Sequence, residues 1–314
     1  MVINERITFE RILCPIDLTP ESDESLRYGI ALAKAYDAKL FVINCIDYAA
    51  GGPTERANIK KHLENSIRKY LRFPPSVDFG WEIIIVDGDP KEAITEQAAE
   101  RRIDLIVMRS RRRPYAAALL GSIAETVCRT APCPVMVTHP REQDWAGMTT
   151  NEIGLQRVLA AYDFSSDSEL SLSYGLSLAQ ECQAELHVLH VLPPRAARPE
   201  SPEIAFLPPG AEDGFREAAS RLRSAVPPET RVWCEVKQAV REGHPYREVL
   251  AYADEQKIDL ICMGASGTGF GMRALFGSNA DRVLRQAPCP VLIARPLRPA
   301  FAAPVASKGG KLAV

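Results

Sequence analysis

Residues 11–40, RILCPIDLTPESDESLRYGIALAKAYDAKL, return 146 positions later as RVLAAYDFSSDSELSLSYGLSLAQECQAEL at 157–186, with twelve of thirty positions identical. Self-similarity at a fixed offset marks a duplicated structural unit. The offset grows to 155 where GDPKEAITEQAAERRIDLIVM (88–108) meets GHPYREVLAYADEQKIDLICM (243–263). It reaches 156 where VCRTAPCPVMVT (127–138) meets VLRQAPCPVLIA (283–294). A drift of this size places small insertions in loops. The expected boundaries are a first domain over 1–140, a second over 155–298 and a flexible tail over 299–314. The polar segment REQDWAGMTTNEIG (141–154) is read as the linker, and the Pro-rich stretch 192–210 as a loop inside the second copy.

The length of 314 residues agrees, being too long for one ordinary core and close to two domains of about 150 residues. Apolar residues make up 46%, charged residues 25%, and the formal net charge is −2. That balance gives no global bias toward nucleic acid or membrane, so neither is expected as a partner. No segment reaches the roughly 18 unbroken apolar residues of a spanning helix, and the chain is read as cytoplasmic. The eight cysteines form no CxxC pair. Several sit in apolar runs such as FVINCI and DLICM, as buried small hydrophobes in a reducing compartment do.

Within the second copy, short apolar runs alternate with helical spacing. RVLAAYDF reads as a strand, Leu172, Leu176 and Ala179 as one face of a helix, and LHVLHVL as the next strand. A helix near 211–225, a strand at VWCEVKQAV (232–240), a helix from Pro245, the strand IDLICM, a helix over 279–286 and the strand CPVLIARP follow. Five strands joined by helices predict an α/β, doubly wound parallel sheet with right-handed crossovers. Such sheets bind ligands beyond the carboxyl ends of their strands, where strand order reverses.

Directly after IDLICM stands GASGTGFGMRALFGSN (264–279). Glycines three apart let backbone N–H groups crowd an anion, and Gly277 with Ser278 opens a helix whose free N–H groups attract negative charge. The bland alternative is that Gly264 and Gly267 only end a strand and Ser278 only caps a helix. No lysine follows, so this is not a Walker A loop, and no GxGxxG follows the first strand. Asp163, at the end of the first strand of this copy, would meet the glycine segment at one sheet edge, or would simply cap the next helix. A carboxylate beside phosphates needs a divalent cation between them. His190, on a buried strand, is read as a hydrogen-bonded core residue rather than a ligand.

The strand-ending aspartate, His190–Val191, MGASG, GS and the APCPV before each closing strand together resemble the universal stress proteins in their tandem form, over nearly all of residues 8–296. The resemblance implies two Rossmann-like (adenine nucleotide alpha hydrolase-like) domains, each a five-stranded parallel sheet of order 3-2-1-4-5 with helices on both faces. It implies ATP, or AMP or ADP, at the edge of the second domain, with Mg or Mn. Carried over, Asp163 would serve the ribose or the metal, and Ala161 and Val191 would border the base. Met263, Gly264, Ser266, Gly267, Gly277, Ser278 and Asn279 would surround ribose and phosphates. Ala161 is a departure, since the first copy has Pro15 there.

In the first copy the matching stretch is MRSRRRPYAAALLGS, with Arg109 and Arg112 where the second has Gly264 and Gly267. Bulk in place of glycine predicts no nucleotide there, although Asp17 is present. The loop Arg109–Arg113 is either solvated, or folded back onto Asp17, or an anion patch. The sequence leaves three functions open: an ATP-binding, stress-associated regulator with an unknown protein partner, a slow ATPase, and a scaffold that binds nothing. The closing strands 134–139 and 290–295, apolar edges otherwise, are expected to pair across the copies as an intramolecular pseudo-dimer. A further homodimer is left open.

Overall fold

The computed structural model describes residues 7–46, 52–71, 80–110, 121–138, 145, 153–194, 211–265 and 277–295. The first copy runs β1 (Arg11–Pro15), α1 (Pro20–Tyr36), β2 (Lys39–Ile46), α2 (Pro53–Tyr70), β3 (Trp81–Asp87), α3 (Pro90–Glu100), β4 (Leu105–Arg109), α4 (Ser122–Thr130) and β5 (Val135–Thr138). The second runs β6 (Arg157–Ala161), α5 (Ser166–Cys182), β7 (Glu185–Leu192), α6 (Ala211–Ala225), a 3-10 turn (Pro228–Val232), β8 (Val236–Glu242), α7 (Pro245–Glu255), β9 (Leu260–Gly264), α8 (Ser278–Gln286) and β10 (Val291–Ala294). One ten-stranded sheet results, in the order β3-β2-β1-β4-β5-β10-β9-β6-β7-β8. Each half has the expected order 3-2-1-4-5, the second in mirror sequence.

The two closing strands do pair. β5 and β10 run antiparallel, with Val137 opposite Val291, Met136 opposite Leu292 and Val135 opposite Ile293. Every residue of both strands is buried, so an edge left open here would expose an apolar ladder. One face of the sheet carries α1, α2, α5 and α6 over a core that includes Leu26, Leu63, Leu172 and Leu222. The other carries α3, α4, α7 and α8 over Ile94, Val127, Val249 and Val283. Across the seam Arg285 lies 3.6 Å from Glu125, and the guanidinium of Arg295 donates to the Ala131 carbonyl.

The segment read as a polar linker contains one buried anchor. Trp145 donates from its indole nitrogen to the Asp259 carbonyl at 3.1 Å and meets the Tyr28 ring edge-on at 4.7 Å. It thereby touches both copies. The strand expected at 232–240 begins later. Pro227 and Pro228 start a tight turn whose Thr230 carbonyl accepts from Trp233 N and Cys234 N, leaving Val232 and Trp233 exposed before β8 starts at Val236. Apolar Val-Trp-Cys looked like a strand, but the preceding prolines spend it on the turn.

Duplication is visible in the backbone itself. Leu18 and Phe164 (φ 63 and 64), Asp37 and Gln183 (52 and 54), and Arg102 and Lys257 (both 52) take the left-handed conformation at matched positions. Each copy also ties its first strand to its fourth in the same way. Asp104 accepts from Glu10 N and Arg11 N, and Asp259 accepts from Gln156 N and Arg157 N.

Side chains then diverge within that frame. A Cβ at Gly29 on α1 would fall inside the Cys14 sulfur, whereas one at the matched Gly175 would sit 3.6 Å from the Cβ of Ala160, an ordinary contact. Gly29→Ala should destabilise by about 1–3 kcal/mol through overpacking. Gly175→Ala should be neutral or stabilise by about 0.5–1 kcal/mol through helix propensity. Adding Cys14→Ala should rescue Gly29→Ala in urea melts; a rescue of zero would place the clash elsewhere.

Burial raises the Asp104 carboxyl to about 6, against the opposing pull of its two backbone donors. The folded state therefore binds a proton that the unfolded chain has already lost, and this carboxyl's contribution to stability falls as pH rises from about 4 to about 6. Compared with Asp104→Asn, the wild type should lose ground over that window and hold a constant gap above it. Urea titrations at pH 4, 5, 6 and 7.5 read the gap, and one that widens in the wild type's favour with pH would contradict the burial argument.

Candidate functional site

The carboxyl ends of β6, β7 and β9 lie side by side in the second half of the sheet. Strand alternation puts Ala161, Val191 and Met263 on the face covered by α7 and α8, where Met263 is buried and Ala161 and Val191 are half-buried. Gly264 closes β9 on the opposite face, against α5. Gly277, Ser278 and Asn279 open α8. Gly277 N–H donates to the Ala265 carbonyl at 2.9 Å, so the two ends of the glycine segment are pinned together at this edge. Ser266 and Gly267 lie outside the described residues, as do Arg112, Arg113 and Arg273.

Asp163 follows β6. One carboxylate oxygen accepts from Ser165 N at 3.1 Å and from Ser165 Oγ, and Ser165 in turn is the N-cap of α5, its hydroxyl accepting from Ser168 N. The aspartate therefore holds the cap rather than being the cap. Between them Phe164 is left-handed, a conformation that costs a bulky side chain about 1–3 kcal/mol. The first copy repeats the device with Asp17, Leu18 and Thr19. A strained turn kept in both copies at the ligand-binding edge of this sheet class is where function is sought.

His190 is half-buried and hydrogen-bonded. Its Nδ1 lies 2.8 Å from the Tyr162 carbonyl, and since a carbonyl only accepts, Nδ1 carries the proton. Asn44 makes the matching bond to the Ile16 carbonyl in the first copy. The Phe164 ring stacks between His190 at 4.6 Å and the Arg221 guanidinium at 3.9 Å. Sequence reading passed over His187, which is fully buried with Nδ1 2.8 Å from the Tyr252 hydroxyl and Nε2 3.5 Å from Glu185. Burial holds its pKa below the ordinary value.

Gly264 has a reason to be glycine that needs no ligand. A Cβ there would lie 2.7 Å from Asp167 Cβ and 2.9 Å from the Asp167 carbonyl carbon, in the first turn of α5. At the matched position in the first copy, Arg109 is nearly buried and forms an ion pair with Glu24 on α1. The second copy has Leu170 where that glutamate stands. Glu24 is a partner of Arg109, and residues 111–113 of the arginine loop lie outside the described residues.

Whether an anion fits can be asked of the helix starts. α1, α3 and α5 are capped by Thr19, Asp89 and Ser165, whereas α8 begins on Gly277, and the matched α4 on Gly121, with no side-chain cap. The first-turn N–H groups of α8 thus lack the usual side-chain acceptor, a donor set that suits a phosphate. Among the described residues no group of three or more His, Cys, Asp or Glu is placed to hold a metal ion. No described helix is long and apolar enough to cross a membrane.

Residues 8–139 and 154–295 each match the Universal stress protein family. The chain belongs to that family. Universal stress protein MJ0531 of Methanocaldococcus jannaschii is 26% identical over 153 residues, covering 46% of this chain and 90% of its own length. Universal stress protein YxiE of Bacillus subtilis is 29% identical over 145 residues, covering 44% and 98%. Among solved structures, a universal stress protein from Archaeoglobus fulgidus superposes with a TM-score of 0.61 at 23% identity, covering 91% of this chain and 98% of its own. A putative universal stress protein from Pseudomonas aeruginosa gives 0.64 at 19%, covering 92% and 94%. These likenesses support the two-unit Rossmann-like fold.

Gly264→Ala should destabilise the ligand-free protein by about 1–3 kcal/mol, because backbone of α5 rather than a flexible side chain must move. Thermal melts in the absence of nucleotide check this; an unchanged midpoint would return Gly264 to a ligand role alone.

Proposed function

We propose that this universal stress protein is a stress-associated, ATP-binding regulator in the cytoplasm whose second domain (155–298) holds the nucleotide. The first domain (1–140) serves as its intramolecular partner. The observation that carries this reading is the uncapped start of α8 at Gly277 beside the strained Asp163–Phe164–Ser165 turn, in the copy that lacks the Arg109–Glu24 pair. Ala161 and Val191 would border the base. Asp163 would take the ribose or, through Mg or Mn, the phosphates. Gly264, Ser266, Gly267, Gly277, Ser278 and Asn279 would line the phosphate path, with Met263 supporting it from the core. Bound cation would neutralise charge between the Asp163 carboxylate and the phosphates. AMP or ADP would occupy the same place, and occupancy would select the protein partner.

Hydrolysis requires a positioned base and stabilisation of transition-state charge. The described residues at this edge supply no lysine, so turnover should be slow. Rates on the order of 10 per second would replace the regulatory reading with an enzymatic one.

Calorimetry should give one ATP per chain. At a hundredfold excess over the dissociation constant, ATP should stabilise by roughly 2.7 kcal/mol, about 2–4 °C in the melting temperature of a 150-residue domain that melts separately. Gly267→Arg, which copies Arg112 into the second domain, should abolish both effects. Charge alone would strengthen binding, so this substitution separates obstruction from attraction; two sites per chain, or undiminished affinity in the variant, would overturn the assignment.

A further inference from the structure

Helices α7 and α8 pack on the same face of the sheet and both begin at the carboxyl edge of the second copy. Neither has a side-chain cap, since α7 starts on His244 and α8 on Gly277. Their first-turn N–H groups therefore face the same edge, each start carrying partial positive charge. Tyr246, in the first turn of α7, is half-buried against that core. The Arg247 Nε donates to its hydroxyl at 2.9 Å, and the Arg282 guanidinium sits 4.6 Å over its ring. Arg282 lies four residues after Ser278 on α8, one turn on, and its guanidinium reaches across to the first turn of α7.

The neighbouring acids are committed elsewhere. Glu248 lies 3.6 Å from Arg241, and Asp281 pairs with Arg285 at 2.7 Å. Among the described residues neither Arg247 nor Arg282 has a carboxylate partner, and both are exposed. The first copy lacks the arrangement, with Lys91, Glu92 and Thr126 at the matched positions. Two guanidiniums, a phenol between them and two uncapped helix starts thus coincide with the copy whose glycine pattern is intact. Guanidinium forks and helix N-termini share one preferred ligand class, the phosphate oxyanion.

We propose that Tyr246, Arg247 and Arg282 form a second phosphate-binding subsite beside the N-terminus of α8. It takes the outermost phosphate of a nucleotide held at this edge, or a free phosphate when no nucleotide is bound. The first half of that statement rests on the nucleotide reading above; the second does not. A subsite placed outward of Gly277 and Ser278 makes affinity depend on phosphate chain length and leaves the base and ribose contacts untouched.

Isothermal titration of the full-length protein with ATP, AMP and inorganic pyrophosphate tests it, using wild type and the exposed double variant Arg247→Ala/Arg282→Ala. ATP affinity should fall about tenfold or more in the variant, as expected for loss of charge-assisted hydrogen bonds. AMP affinity should stay the same and pyrophosphate binding should vanish, while Arg247→Lys/Arg282→Lys should recover part of the ATP loss. If the wild type binds pyrophosphate through these arginines but no nucleotide, the subsite stands as a free-phosphate site and the nucleotide reading fails. Equal losses for ATP and AMP would overturn the subsite, and so would ATP and pyrophosphate affinities that the alanines leave unchanged.

Discussion

Three residue pairs between β5 and β10 decide what kind of object this chain is. Within each copy every strand is parallel to its neighbours, so each half alone would end on a short edge that is apolar but for Thr138. Joining those edges antiparallel removes both at once and gives a continuous sheet from β3 to β8. The same antiparallel step points the carboxyl ends of the two halves in opposite directions. Asp17 and Asp163 therefore sit at opposite edges, and a ligand at one cannot be shared with the other. Trp145, wedged between Tyr28 and the Asp259 carbonyl, and Arg285 beside Glu125 reinforce a junction whose main support is the buried ladder.

Held in that way, the copies could diverge in side chains without moving the backbone. Left-handed residues recur at matched sites, and the Asp–x–Ser/Thr turn is drawn twice with the same hydrogen bonds. What changes is what fills the frame. Arg109 with Glu24 is exchanged for Gly264 with Leu170, and a cysteine sulfur against Gly29 for the smaller Ala160 against Gly175. The first exchange changes two positions far apart in sequence, and the second changes one side chain against a glycine present in both copies.

The duplication was legible from the sequence's likeness to itself, the parallel sheet from alternating apolar runs and the pairing of closing strands from a rule about edges, while the strand order came only with the family resemblance. Trp145 was not legible, since one apolar residue in a polar segment carries no period. The strand expected from 232 starts only at Val236, because Val-Trp-Cys has the composition of a strand and only the prolines before it argue otherwise. His187 and the Tyr246–Arg247–Arg282 group escaped for another reason. Their significance lies in contacts between β7, α7 and α8 that no local pattern encodes, although charge at 92 and 247 reverses between the copies in plain view.

Gly264 shows how far a glycine motif can be trusted. In sequence it is the first letter of a phosphate-binding pattern; in the fold its hydrogen is all that fits against Asp167. Its presence would be required even if nothing bound, so it cannot by itself testify to a ligand. Gly277 opens α8 with no side-chain cap, as Gly121 opens the matched α4, whereas Thr19, Asp89 and Ser165 cap α1, α3 and α5. Glycine at an N-cap costs a helix only a few tenths of a kcal/mol relative to Ser or Asn. Because Gly121 opens α4 in the same way, the glycine start belongs to the shared frame, and what sets the second copy apart is the end of β9, where Gly264 stands in place of the Arg109 that pairs with Glu24.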